Sequence, residues 1–334
     1  MTSMAKQLSS PLQKKISPQS SSDKVNALLQ VRFVKIDEGA DGQRIDNFLL
    51  RQCKGVPKSH LYKAIRSGQV RVNKGRISSE YRLNVGDEVR IPPLRMADPD
   101  SKPPVPKAEF PIIYEDDAIL VINKPAGVAV HGGSGVSFGV IEQLRSARPE
   151  SKFLELAHRL DKETSGLLII AKKRSALVVL HDMMRQSEGH KSYLALVVGE
   201  WTAKRQEIKL PLYKYLTPDG ERRVRVDKEH GKYAHTIVTK LQGYLGYTLL
   251  GAQLKTGRTH QIRVHLASQG FPIVGDEKYG KDEVREEVSK KGFKRMFLHA
   301  HRLQFTHPLT GEKLLLEAPL PVECLRFLDQ LKKG

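Results

Sequence analysis

The chain has 334 residues, too many for one ordinary core, so two domains are expected, at least one of them large enough to bury a sizeable interior. Its 56 Lys and Arg against 37 Asp and Glu give a formal net charge of +19 and a pI near 9.8, which favours a polyanionic partner because each neutralised phosphate releases condensed counterions. No apolar run approaches the length of a spanning helix, which argues against a membrane, and the two distant cysteines, Cys53 and Cys324, supply neither a disulfide framework nor a zinc site.

Residues 1–28 are rich in Ser, Gln and Lys without the apolar core of a signal peptide, so a disordered tail and a cytoplasmic location are expected. Residues 29–95 form a basic module. Between 44 and 82 stand ten cations (Arg44, Arg51, Lys54, Lys58, Lys63, Arg66, Arg71, Lys74, Arg76 and Arg82) against two acids, Asp46 and Glu80. Ile45, Phe48 and Leu49 fall at helical spacing, and Leu61 and Ile65 mark a second short helix between Pro57 and Gly68. Residues 69–72 alternate like a strand, Asn73-Lys74-Gly75 supplies turn chemistry, and 86–91 reads as a turn entering another strand. A charge run is commonly a solvated helix face. Its concentration on one small α+β unit favours phosphate contacts instead, with Lys58, Lys63, Arg66, Arg71, Lys74 and Arg76 as the RNA-binding candidates.

Residues 96–108 lie within a proline-rich stretch that runs from Pro92 to Pro111 and stiffens the chain into a linker. Beyond it, 109–334 carries short β-like runs at 118–122, 166–172, 193–198, 234–241, 247–254 and 314–317, with helical patterns at 139–147, 175–186 and 259–269. A single α+β domain, a mixed sheet decorated by helices, accounts for this order. No repeat of regular period is present.

The glycine-rich stretch 132–135 completes neither a dinucleotide fingerprint nor a P-loop, and reads as a turn. His260, His265, His299, His301 and His307 lack the cysteine or carboxylate spacing that would finish a metal site. Two stretches remain. In "HRLDKETSG" (158–166) charged and hydroxyl residues run directly into an apolar strand, which perches Asp161, between Arg159 and Lys162, at the end of a sheet. Nearby cations would keep Asp161 ionised, as a nucleophile or base requires; an ordinary surface ion pair is the alternative these residues leave open. In "LKTGRTHQIRVHLASQG" Thr259 can cap a helix whose Ile262 and Leu266 face inward. Arg263 in its first turns could clamp a carboxylate, and Arg258 and His260 could meet phosphates, though a basic helix face would look the same.

Three separated motifs, "LVINKPAGVAVH" (120–131), "HRLDKETSG" and "GRTHQIRVHL" (257–266), stand in the order and spacing of the RluA family of pseudouridine synthases, which this chain resembles over about residues 109–320. "KSYLALV" supplies Tyr193 at the position of that family's active-site tyrosine, and "FLHAHRLQFTHP" is similar to its C-terminal signature. The segment containing "GQVRVNKGR" and "VGDEVRI" resembles the alpha-L RNA-binding module first known from a small-subunit ribosomal protein. The resemblance implies an α+β pseudouridine synthase catalytic domain with a mixed, mainly antiparallel sheet, preceded by an alpha-L-type module. It implies an enzyme without cofactor or metal that isomerises specific uridines of large-subunit (23S) ribosomal RNA, and, as no oligomerisation feature stands out, a monomer is expected. It also implies site roles: Asp161 as the essential carboxylate, Arg263 holding it, Tyr193 against the uracil as candidate C5 base, and Arg159 filling the space of a flipped nucleotide. Asp161 could attack C6, attack C1′, or take the C2′ proton. A catalytically silent rRNA-binding assembly factor, or a synthase of tRNA or other rRNA uridines, are the competing expectations.

Overall fold

The computed structural model describes residues 30–53, 55–94, 104–133, 136–218 and 220–333. The expected N-terminal tail, most of the linker, and Lys54 lie outside them. The chain divides into two compact units, 1–103 and 104–334.

In the first unit, strands β1 (Arg32–Lys35), β2 (Arg71–Val72) and β3 (Glu88–Ile91) pair antiparallel in the order β1-β3-β2. Helices α1 (Ile45–Gln52) and α2 (Lys58–Arg66) bury Ile45, Phe48 and Leu49, and Leu61, Ala64 and Ile65, in a cluster shared with Val70, Val72, Leu83, Val89 and Ile91. These are the apolar positions whose spacing announced the helices. The turn after β2 is closed by reciprocal backbone bonds between Val72 and Gly75 (3.1 and 2.8 Å). Asn73 and Lys74 both take positive φ there (49° and 67°), the conformation a two-residue hairpin turn demands. Only β1, half-buried and short, gave no sequence signal.

The second unit is built on a ten-stranded sheet. Its strands are β4 (Ile112–Glu115), β5 (Ile119–Lys124), β6 (Glu155–Leu156), β7 (Ser165–Ala171), β8 (His190–Val198), β9 (Arg205–Ile208), β12 (Thr236–Tyr244), β13 (Tyr247–Leu254), β14 (Leu298–Thr306) and β15 (Lys313–Glu317). Their order is β4-β5-β7-β14-β8-β13-β12-β9, with β6 added to β7 and β15 to β14. The pairing of β7 with β14 is parallel and the other pairings are antiparallel. A separate hairpin joins β10 (Leu212–Leu216) to β11 (Arg222–Val226).

Every residue of β7 is buried, because apolar side chains cover both faces. Leu168 and Ile170 belong to a buried cluster that also holds apolar residues of helices α3 (Val140–Ala147), α5 (Gln261–Ser268) and α7 (Val322–Lys333); Leu167, Ile169 and Ala171 belong to another, with residues of α4 (Arg174–Arg185). A strand buried on both faces reads as a continuous apolar run, which is how "GLLIIA" appears in sequence.

One expectation needs correction, and two helices lie outside those expected. Thr259 does not cap α5: the capping position is His260, in the left-handed region at φ 51°, and the helix begins at Gln261. No side chain caps the helix; Gln261 instead ties down the turn ahead of it, its Oε1 accepting from the Arg258 amide (3.0 Å) and the Thr256 hydroxyl (2.8 Å). Helix α6 (Asp282–Lys290) escaped notice because it buries only Val288 and so has no apolar stripe to read. Helix α7 too lies outside the expected helical patterns, although it buries Cys324, Phe327 and Leu328.

Candidate active site

The site is built where β7 and β14 begin side by side. Gly166 lies at φ +110°, and a Cβ there would sit 2.3 Å from the Ala300 carbonyl oxygen, so only glycine lets the two strands approach. Ala300 is register partner to Gly166 on one side and to Tyr193 of β8 on the other. That register carries Tyr193 toward the loop that leads into β7.

The loop itself is pinned at three points. His158 Nε2 accepts the Ile169 amide (3.1 Å) where the β6–β7 pairing ends, and the Asp161 carbonyl accepts the Thr164 amide (3.1 Å) in a tight turn. Lys124, at the end of β5 and fully buried, donates from Nζ to the carbonyls of Pro125 (2.7 Å), Val128 (2.8 Å) and Lys162 (3.1 Å). One side chain therefore ties the first motif's loop to the second's. Burial lowers the Lys124 pKa to about 7, against the opposing pull of Glu163 and Asp161.

From helix α5 comes Arg263, buried at 4% exposure. Its Nε and Nη2 donate to Asp276 (2.8 and 2.7 Å), and its Nη1 donates to Asp161 Oδ2 at 3.2 Å. The Asp276 side chain is wholly buried. The two carboxylates raise the Arg263 pKa further above its ordinary value in spite of its burial, which keeps the guanidinium charged. A bidentate pair fixes the plane of a guanidinium, so Arg263 can offer its remaining edge to Asp161 in one orientation only. The other oxygen of Asp161 lies 3.9 Å from His260 Nε2, while His260 Nδ1 is bonded to the Tyr279 hydroxyl (2.7 Å), which accepts the Val224 amide (3.0 Å). The Tyr279 ring also covers the Arg263 guanidinium at 5.1 Å. Burial above all, then Arg263 and Lys278, hold the His260 pKa below the usual histidine range.

Tyr193 is 7% exposed, and burial first, then the negative charge of Asp161, push its pKa above that of a free phenol. It is a neutral phenol in this site. The arrangement is thus a part-exposed carboxylate (27% of its side chain) oriented by a locked arginine, bordered by a neutral imidazole and a neutral phenol.

Comparison with known proteins bears directly on this geometry. Residues 118–268 match the RNA pseudouridylate synthase family and residues 43–89 the S4 domain. The chain is 50% identical over 312 residues to "Ribosomal large subunit pseudouridine synthase C" of Escherichia coli (strain K12), covering 91% of this chain and 98% of that one. It is 49% identical to the protein of the same name from Pasteurella multocida (strain Pm70), over 91% and 94% of the two chains. The chain belongs to the RNA pseudouridine synthase family. Among solved structures, human RNA pseudouridylate synthase domain containing 4 matches this synthase with a TM-score of 0.56 at 26% identity, over 66% of this chain and 93% of that one. Human RNA pseudouridylate synthase domain containing 1 matches at 0.55 and 28%, over 64% and 84%.

Within the synthase, Asp161, Arg263 and Tyr193 come together from three elements 102 and 32 positions apart in sequence from Asp161. His260, expected to face phosphate, is instead turned inward beside Asp161. Arg159 is exposed, and its side chain makes no hydrogen bond or ion pair among the described residues. Arg258 is exposed too, its Nε donating to the Tyr233 carbonyl (3.0 Å). Lys58, Lys63, Arg66, Arg71, Lys74 and Arg76 are all exposed on the S4 unit. Sequence reasoning missed Asp276 and Tyr279 and gave Lys124 no definite place. The available signal for Asp276 was physical: a buried arginine facing a half-open carboxylate needs a second, better-buried counterion.

Among the described residues no group of three His, Cys, Asp or Glu is placed to hold a metal ion, and no helix is long and apolar enough to cross a membrane. The remaining motif histidines serve the fold: His265 bonds Thr236 and the Leu210 carbonyl, and His299 bonds Ser165 and the Ala318 carbonyl.

Proposed function

We propose that this synthase converts specific uridines of large-subunit (23S) ribosomal RNA to pseudouridine in the cytoplasm, as a monomer and without a cofactor, using Asp161 as its essential carboxylate. The observation that carries the reading is the clamp in which Asp276 locks Arg263 and Arg263 orients Asp161. The names of its relatives supply the substrate class, and the exposed cations Lys58, Lys63, Arg66, Arg71, Lys74 and Arg76 of the S4 unit suit a large structured RNA.

In the isomerisation the N1–C1′ bond of uridine breaks, the uracil rotates, and a C5–C1′ bond forms. The C5 proton leaves and N1 gains one, so nothing external is consumed. Three entry steps are chemically open to Asp161: attack at C6, attack at C1′, or removal of the C2′ proton. Each begins with an ionised carboxylate and ends with its charge neutralised. That shared consequence sets an order of events. The charge of Asp161 is the second cause, after burial, of the raised Tyr193 pKa, so once Asp161 has reacted the phenol gives up its proton more readily and more of it stands as phenolate, the form that can take the C5 proton.

The base must leave the helix stack to reach Asp161, at a cost of about a few kcal/mol. Arg159, two residues away and exposed, fills the vacated space, its planar guanidinium stacking on the neighbouring bases. Arg258, exposed just ahead of helix α5, contacts phosphate. His260 borders the carboxylate, and the geometry favours that position over the phosphate contact expected from sequence.

The test is a pseudouridine map of ribosomal RNA from cells lacking the protein, repeated after complementation with wild type or Asp161→Ala. Sites that vanish on deletion and return only with wild type support the reading. An unchanged map in every strain sinks it in favour of an assembly factor.

A further inference from the structure

The hairpin formed by β10 and β11 stands apart from the ten-stranded sheet, and its two faces differ. One face is apolar: Leu212 and Val224 are buried with Ala234 and Val264 of helix α5, and Tyr279 packs against them. The other carries Tyr213 and Tyr215, with Arg225, the register partner of Tyr213, lying over both rings at 5.7 and 5.5 Å. The Arg225 side chain is 59% exposed, and the His230 ring stands edge-on to Tyr213 at 6.1 Å. Among the described residues of the catalytic unit, the large exposed aromatics are Tyr213 (38%) and Tyr233 (56%), and both belong to this hairpin and the segment that leaves it. A single exposed ring is ordinary, whereas rings grouped on one face beside an arginine make a patch suited to a flat, apolar-faced partner.

The hairpin's place is fixed by direct bonds. Val224 donates its amide to Tyr279, which holds His260 beside Asp161, and Arg223 donates to the Lys278 carbonyl (3.0 Å). Tyr233 gives its carbonyl to Arg258 at the start of the same helix. The hairpin thus reaches the reacting carboxylate through Val224, Tyr279 and His260 on its apolar side, and the aromatic face is the hairpin's other side.

We propose that Tyr213, Tyr215 and Arg225, with Tyr233 beside them, form a stacking platform for unpaired bases of the RNA strand flanking the target uridine. Rings interleaved with an arginine accept any base by its π-face, whereas a duplex hides those faces in its own stack. The platform therefore selects a single-stranded context, and its rings are indifferent to sequence. This rests on the functional reading given above.

The experiment uses the full chain and two probes, a 12-nucleotide oligouridine and a duplex RNA of equal length. Tyr213→Ala and Tyr215→Ala should each weaken oligouridine binding about ten-fold, within the range found for losing one base–aromatic stack, and leave duplex binding unchanged. Tyr213→Phe and Tyr215→Phe should bind as wild type, which separates stacking from a folding defect, and all variants are to match wild type in thermal melting. Asp161→Ala should bind oligouridine normally. Wild-type affinity in the Tyr213→Ala/Tyr215→Ala double variant, or equal loss on duplex and single strand, overturns the platform. If the platform holds while the cellular pseudouridine map stays unchanged, the functional reading alone fails.

Discussion

The two units of this chain use charge in opposite ways. On the S4 unit Lys58, Lys63, Arg66, Arg71, Lys74 and Arg76 stand in solvent, and none has a carboxylate partner within ion-pair distance among the described residues. In the catalytic unit Arg263 is buried against two carboxylates and covered by an aromatic ring. Exposed cations act at a distance of about a Debye length and yield to salt. A buried guanidinium acts over one bond length, barely feels salt, and is held in one geometry. On the proposed function, the first arrangement gathers RNA and the second aims a single carboxylate. The lesson is that a net charge of +19 says much about partners and nothing about chemistry, because the cation that matters for chemistry is neutralised where it sits.

The sharpest way to break this contrast is at Asp161. Asp161→Ala should lower the single-turnover rate by roughly 1,000-fold or more while leaving RNA affinity within about two-fold of wild type. A large affinity loss would mean that Asp161 binds substrate and does not act on it. Next is the clamp. Asp276→Ala leaves Arg263 buried with the part-exposed Asp161, at 3.2 Å, as its one remaining carboxylate partner, and breaking a buried pair costs about 3–5 kcal/mol. The catalytic unit's urea transition should fall accordingly, and turnover with it, whereas the S4 unit's transition should not move. Retained stability with normal turnover would show that Asp161 needs no locked partner.

How much of this was legible beforehand follows from the same physics. Elements that bury a stripe or a whole strand, such as α1, α2, β7 and β13, repeat their apolar residues at a period the eye can find, and they appeared where expected. Helix α6 has one buried residue and hence no stripe, and β6, at two residues, has no period at all. In the site, Asp161, Arg263 and Tyr193 were named through resemblance; their residues alone allowed a surface ion pair. Asp276 and Tyr279 were not named, because nothing in "GDEKYG" distinguishes a buried acid from an exposed one until the chain has folded round Gly275. That glycine, at φ +75°, brings the Arg295 carbonyl within 2.0 Å of where a Cβ would be, and so turns Asp276 inward toward Arg263.

The exposed side of the contrast should give smaller, graded effects. Alanine at any one of Lys58, Lys63, Arg66, Arg71, Lys74 or Arg76 is expected to reduce the slope of log K against log salt by about 0.7–0.9 if that residue meets a phosphate. Affinity should fall a few-fold at moderate salt, and turnover of saturating RNA should be unchanged. A slope that stays constant through all six variants would assign these cations to solvation.

The smallest expected effect tests the order of events at Tyr193. Burial is the leading cause of its raised pKa and the charge of Asp161 the second. Replacing that charge in Asp161→Asn removes only the second cause, so the phenol should titrate at lower pH than in wild type yet still above a free tyrosine. Since a phenol's charged form is the deprotonated one, removing a neighbouring anion can shift it in no other direction. The measurement is the ring carbon shift of labelled Tyr193 against pH in the two proteins. An upward shift, or none, would mean that Asp161 does not hold Tyr193 protonated, and the proposal that the carboxylate must react before the phenol can serve as base would fall with it.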